Sequence, residues 1–355
     1  MAIYPQSETD RRVAADDLRR VVTDVFAACD MSGEDAGLLA ETLVHSDLRG
    51  VHSHGTLRVP DYVRKLTRDG VNPRGRPRIV GGRGAAIVID ADNGMGQIAG
   101  TFAMKTAIER AREHGLAFAA VRGSNHCGAM DWYTLMAARA DMVGLAGTNA
   151  LPTMAPWGGA EKIVGINPLS VAFPAHRSKP FVLDFAFGAT AHGKIRIYHQ
   201  KGSPIPEGWA FDKDGRPTTD AAAALEGLIQ PIGGHKGIGL GMAVGMLSSL
   251  LSGAAYGTES GNMVDGAKVG TDGHFFMAID IAAFGDIGEV KRRVDGIVAE
   301  VRGSRRGPTT DRLLVPGEIE GDFEAAYGRD GIVLTQDTVI GIETAASSLG
   351  VTARL

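Results

Sequence analysis

Residues 46–58, Ser-Asp-Leu-Arg-Gly-Val-His-Ser-His-Gly-Thr-Leu-Arg, set two imidazoles, three hydroxyls and two guanidiniums within one short, glycine-containing segment. Each such group must be hydrogen-bonded or solvated once buried, so structural segments seldom concentrate them. His54, between two small residues, suits general acid–base work near neutral pH. Arg58 lies four residues on, one turn if the segment is helical, and can hold a carboxylate in two parallel bonds. Ser53 beside His54 invites a hydrolase, but no G-x-S-x-G elbow surrounds any serine. A metal site built from His45, His52, His54 and His126 is the sharper alternative, as a metal-dependent hydrolase or lyase using the His45, His52 and His54 cluster. It is short of nearby carboxylates and has no H-x-x-x-H pair.

The elements that must position these groups can be read from periodicity and punctuation. Val13 to Asp30 reads as a helix, with Leu18, Val21, Val22, Val25 and Phe26 on one face. Ser32-Gly-Glu-Asp35 has the form of a capping box opening a second helix over Ala36 to Arg49. Val59 to Asp69 continues as helix, Val71 to Arg78 is loop, and Ala85 to Asp90 is strand. Gly94, Gly96 and Gly100 then form a GxGxxxG run between that strand and a helix to His114, ahead of the strand Leu116–Val121 and Arg122. This resembles a dinucleotide fingerprint. Its first glycine stands four residues past the strand, however, so a turn and a helix cap are the expected roles. Further strands are expected at 142–147, 169–173, 181–185 and 275–281, and helices at 130–140, from His192 through Lys194, at 238–252 and at 287–302. Pro152 to Gly159 and Ser304 to Gly317 read as loops, and Thr258 to Gly273 as a mobile stretch. A last helix and the strand Gly331–Leu334 close the chain.

The 355-residue chain is long enough for two domains. Its charge of -4, with no long basic run, argues against a nucleic-acid partner. Two cysteines are too few for a disulfide framework and point to a reducing cytoplasm, and no apolar signal core follows Met1. The longest apolar stretch, 232–256, carries His235, Lys236 and many glycines, which argues against a membrane span. The 49 glycines, roughly twice average usage, mark turns and close backbone approaches. Among them, the Gly234-His235-Lys236-Gly237 run at a helix start offers free amides and a cation to phosphate.

Taken together, Ser53-His54-Gly55 with Arg58, Asn125-His126, Thr148-Asn149, Gly165-Ile166-Asn167-Pro168, Asp184, Gly193-Lys194, Gly234-His235-Lys236-Gly237 and Pro316-Gly317-Glu318 occur in one order that resembles the type-2 malate/L-lactate dehydrogenase family. The resemblance implies an α/β fold of two domains with a mixed sheet and a non-Rossmann site for NAD or NADP. We place the domains at 1–120 plus 311–355, carrying the His-Arg segment, and at 121–310, binding the cofactor. It also implies a homodimer. By the family pattern His54, His126 and Ser53 are catalytic, and Arg58, His54, Thr148 and Asn149 hold the substrate. The cofactor residues implied are Asp184, Phe185, Ala186, His192, Lys194, His235, Lys236, Gly237, Arg312 and Gly317. The implied reaction moves hydride between the nicotinamide and C2 of a small 2-oxo or 2-hydroxy acid; an NADPH-dependent reductase of a cyclic imino acid is the alternative. Two departures bear on substrate: Thr190 stands where serine is expected, and the run Cys127-Gly-Ala-Met-Asp-Trp132 is not a general family pattern.

Overall fold

The computed structural model describes residues 9–200, 202–261 and 268–355. Its centre is a seven-stranded mixed sheet. In chain order the strands are β1 (Arg78–Arg83), β2 (Ala86–Asp90), β3 (Leu116–Ser124), β4 (Met142–Thr148), β5 (Leu169–Phe173), β6 (Phe181–Phe185) and β7 (Asp272–Asp280). They lie side by side as β1-β2-β3-β7-β4-β5-β6. Only β2 and β3 pair in parallel; every other neighbour is antiparallel. Alternation along β7 sends Phe276 and Ala278 to one face and Phe275 to the other, and the two faces carry separate cores.

Helices α4 (Gly96–His114) and α5 (Asp131–Arg139) cover the first face. A later helix, α7 (His235–Ser249), comes after α6 (His192–Gln200) and packs on the second. Around the sheet's end sits a helical layer of α1 (Ala15–Ala27), α2 (Gly33–Leu48) and α3 (Val59–Thr67). Helix α8 (Ile287–Gly303) lies beside the 176–178 turn between β5 and β6, and the chain then returns to the helical layer through α9 (Glu318–Asp330) and α10 (Gln336–Ser348). The apolar stripe of α1 is fully buried there, and Ser32 caps α2 by accepting from Asp35 N–H at 3.1 Å.

Several expectations are corrected. Val13 belongs to a short strand, Arg11–Val13, paired with Ile332–Leu334 and not to α1, because three backbone-paired residues leave no periodicity to read. The 71–78 loop holds through Pro77 and is followed by a strand that was not expected, β1, and α10 is a second C-terminal helix, opened by the Thr335 cap. Pro152–Met154 pairs with Val164–Gly165 where a loop was expected. Of the 258–273 stretch, 262–267 lie outside the described residues, Gly257–Glu259 form a tight turn, and Asp272 already opens β7. The boundary placed at 120/121 falls inside β3, so hydrogen-bonded pairing joins residues 78–90 to the sheet.

The βαβ unit around Gly94 and Gly96 is real, yet its glycines face protein. A Cβ on Gly96 would collide with Asn125 O, and one on Gly100 would sit 2.6 Å from the Tyr133 ring. These positions are small so that α4 can press onto the sheet. Among the described residues no helix is long and apolar enough to cross a membrane.

Candidate active site

The last turn of α2 carries His45 and Asp47, Arg49 follows as its C-cap, and the chain then reverses at Gly50, whose φ of +74° suits glycine. Asp47 is wholly buried and organises the turns beyond Gly50. It accepts from His52 Nδ1 at 2.7 Å, from Thr56 N–H at 2.8 Å and from Thr56 Oγ1 at 2.6 Å. Gly55 has to be glycine, because any Cβ there would occupy the space of the Asp47 carboxylate. The segment therefore winds as two tight turns, 52–54 and 56–58. His52 turns inward to Asp47, and His54 is left for the cleft.

His54 Nδ1 lies 3.0 Å from Ser53 Oγ, and its Nε2 has no hydrogen-bond partner among the described residues. Its ring stacks on His126, with centroids 5.6 Å apart and planes at 20°. Arg58 Nε donates to Ser53 O at 2.7 Å and Nη1 to Asp61 at 3.2 Å, which leaves Nη2 unpartnered among the described residues. His126 Nδ1 meets Tyr62 Oη at 2.6 Å, and Gln97 Nε2 donates to that phenol at 2.9 Å. Burial, and then the Arg58 charge, push His54 down to about 4, with Asp131 opposing. His126 is pushed well below the ordinary histidine range by burial, then by His54, Arg58 and His274. Both imidazoles are neutral at pH 7.

Behind this pair, Asp131 Oδ2 accepts Arg49 Nε at 2.6 Å and faces His45 Nε2 at 3.6 Å, while Arg49 Nη1 reaches Glu324 at 2.9 Å. Trp132 stands edge-on to His45. Asp131 N–H, at the start of α5, donates to Asp184 Oδ2 at 2.8 Å at the end of β6. Burial would raise the Asp131 carboxyl, but His45 and Arg49 hold it below the usual range. Asp184 goes the other way, up to about 8, through enclosure and then the Asp131 charge. Its side chain is still open to solvent although protein surrounds it, as on the floor of a cleft.

The other expected residues divide. Thr148 Oγ1 bonds His274 Nδ1 at 2.7 Å and donates to Asn149 O at 2.9 Å. Asn149 spends its amide on Ser249, Ala255 O and Gly273 N–H. Both are pins between β4, α7 and β7, with polar atoms engaged inside the protein. Phe185 and Ala186 run on from Asp184, and Phe185 packs edge-on against Phe187. His192 Nε2 lies 3.4 Å from Leu225 O, and Lys194 Nζ sits 4.9 Å over the Trp209 ring. His235 and Lys236 are exposed at the head of α7, with His235 edge-on to Trp157. Gly237 lets the helix close onto Ile232 O. Arg312 is tied to Asp322 at 2.7 Å, and Gly317 packs on Val182, two residues before Asp184.

The donor set around α6 and α7 fits a dinucleotide. Thr190 Oγ1, just ahead of α6, is buried without a partner among the described residues. Gly233 and Gly234, both at positive φ, lead into the amide-rich start of α7 beside Lys236. By contrast, the histidine cluster is dispersed: His45 turns to Asp131, His52 to Asp47 and His54 to the cleft. Among the described residues no three His, Cys, Asp or Glu side chains gather for a metal. The metal-dependent hydrolase is corrected on that geometry. Sequence reasoning missed Asp47, Tyr62, Gln97, Asp131 and His274. Only Tyr62, one helical turn beyond Arg58, and Asp131, in the run that departs from the family pattern, carried a signal.

A sequence model of malate/L-lactate dehydrogenases matches residues 13–343. The L-sulfolactate dehydrogenase of Methanocaldococcus jannaschii is 39% identical over 94% of this chain and 95% of its own length. Its solved structure superposes with a TM-score of 0.91 at 37% identity, covering 97% of this chain and 98% of that one. The L-lactate dehydrogenase of Cupriavidus necator is 35% identical over 96% of this chain and 98% of its own. The malate dehydrogenase structure from Entamoeba histolytica gives a TM-score of 0.92 at 30% identity, covering 98% and 100%. With its fold and nearly its whole length accounted for in this way, the chain belongs to the malate/L-lactate dehydrogenase family and is an oxidoreductase acting on CH–OH groups with a nicotinamide cofactor.

Proposed function

We propose that the protein interconverts a small 2-hydroxy acid and its 2-oxo acid, with His54 as the acid–base residue and Arg58 as the carboxylate anchor. The observation that carries this is a pair of groups at one place that are unpartnered among the described residues: Nε2 of His54, whose ring stacks on His126, and Nη2 of Arg58, whose Nε and Nη1 are fixed by Ser53 O and Asp61. A bound nicotinamide dinucleotide supplies the hydride chemistry. Asp184, the Thr190 hydroxyl, the head of α6 with His192 and Lys194, and the head of α7 with His235 and Lys236 would hold it; Phe185, Ala186, Gly237, Arg312 and Gly317 shape the surrounding walls.

In the free protein His54 is neutral and ready to take the alcohol proton. An anionic carboxylate on Arg58 offsets the second cause of its low affinity for protons, so His54 becomes the more basic when substrate is bound. The same residue therefore serves oxidation as base and reduction as acid. Ser53 orients it in both directions, because a hydroxyl accepts as well as donates.

The test is absorbance at 340 nm with NADH and with NADPH against lactate-, malate- and sulfolactate-type 2-oxo acids, which separates the two cofactors and the substrates together. His54→Ala is expected to lower kcat by about 10²–10⁴-fold, and unchanged turnover removes His54 from the mechanism. A homodimer is supported by α7, whose outward face carries Leu240, Met246 and Leu247, followed by Leu250 just beyond its end, all exposed. Both cysteines are buried free thiols, which supports a reducing, cytoplasmic setting.

A further inference from the structure

The two stacked histidines face different partners, and the partners' chemistry separates their roles. A backbone N–H can only donate, and Gly128 N–H points at His126 Nδ1 at 3.3 Å. Nδ1 must therefore carry a lone pair. The Tyr62 phenol, 2.6 Å away, then has to donate its proton to the same atom, and the phenol oxygen is free to accept from Gln97 Nε2 at 2.9 Å. Turning the Gln97 amide over would make Tyr62 donate to it and force a proton onto Nδ1 against Gly128 N–H. Tyr62 and Gln97 are both buried at 1% exposure or less.

We infer that Tyr62, oriented by Gln97, is a positioning residue that locks His126 as the neutral Nε2–H tautomer, so that His126 enters the cleft as a fixed hydrogen-bond donor and His54 alone moves the proton. This rests on the function proposed above. His126 Nε2 has no partner among the described residues and lies beside His54, where the oxygen on C2 would stand. A donor held there stabilises the developing alkoxide without changing its own protonation state. Charging His126 would place a proton on Nδ1 against two donors. His54 has no such bar, because Ser53 Oγ can reverse its bond.

The test uses full-length protein labelled with 15N-histidine, with long-range proton–nitrogen correlations assigned by loss of signals in His126→Gln. The wild type is expected to show His126 Nδ1 unprotonated and Nε2 protonated from pH 5 to pH 8. Tyr62→Phe is expected to yield a tautomer mixture and to lower kcat by about ten- to a hundredfold, with KM within about twofold because the Arg58 anchor is untouched. Gln97→Glu supplies an acceptor to Tyr62, reverses the relay and is expected to move the proton to Nδ1; it carries the test if Tyr62→Phe does not fold. A proton on Nδ1 in the wild type, or an unchanged tautomer in a folded variant, overturns the inference. If no 2-oxo acid is turned over, the nitrogen spectra still decide the tautomer, so failure of the proposed reaction and failure of the relay are told apart.

Discussion

Replacing Asp47 by alanine removes the acceptor of three donors at once, His52 Nδ1, Thr56 N–H and Thr56 Oγ1, from a site with no solvent exposure. Bonds to a charged group contribute about 1.5–3 kcal/mol each, and donors left buried add their own desolvation. Partial relaxation and water entry beside the half-buried His52 offset part of this. A net loss of about 3–5 kcal/mol is expected, the range for removing one partner of a buried charge. Asp47→Asn keeps the shape. Its carbonyl can still accept both Thr56 groups, and only the bond to His52 is lost or reversed, for about 1–2 kcal/mol. Urea unfolding at one fixed protein concentration, read with equal slopes for all three proteins, measures both. Because the same carboxylate sets the 52–58 turns, kcat should fall about tenfold or more in the alanine variant, while cofactor binding holds. If alanine and asparagine variants unfold within about 0.5 kcal/mol of the wild type, Asp47 does not organise the segment, and the account of how His54 is aimed fails.

Arg58→Gln is expected to raise KM for the acid by roughly a hundredfold, the loss of charge-assisted bonds, and to raise the pKa of His54 in the free protein because Arg58 is one cause of its depression; an unchanged KM would place the carboxylate elsewhere. His274 is fully buried between Ser124 and Thr148 and pushed down to about 4, chiefly by burial. The unfolded chain takes that proton near 6.5 and the folded one only near 4, so stability is full above pH 6.5 and is lost as pH falls toward 4, by about 3 kcal/mol for this group. His274→Gln should flatten that limb in urea titrations at pH 7, 5.5 and 4.5. Leu247→Glu on the outer face of α7 and Leu250→Glu at its C-terminal end should shift sedimentation toward monomer; a variant that sediments like the wild type moves the interface off this face.

Much of the candidate site was legible because its chemistry is dense along the chain. Ser53, His54 and Arg58 lie within six residues, and nothing structural requires that combination. Helices α1 and α2 were legible for a similar reason, since an apolar stripe and a serine cap are local signals. Tyr62 offered only its place one helical turn beyond Arg58, and Gln97 read as an ordinary helix residue until the fold brought its amide to the Tyr62 phenol. Asp131 stood in a run that looked only like a departure from pattern; its bonds to Arg49 and to Asp184 join three separate elements. His274 was hidden inside a strand whose alternation it obeys. The strand pair 11–13 with 332–334 spans most of the chain in three residues a side, too short for any periodicity.

By itself the sequence determined which groups were available, an imidazole, a guanidinium and a hydroxyl within six residues, and that the helices around them would form, because those depend on side chains within a few residues of each other. The tertiary structure decided what each group does. It buried Asp47 so that His52 is spent on it, stacked His54 on His126, set a backbone N–H against one imidazole and a hydroxyl against the other, and brought Asp131 beside Asp184 so that one carboxyl is held charged and the other pushed toward neutrality. Protonation and tautomer depend on burial and on partners a few ångströms away in space, and those distances exist only once the chain has folded.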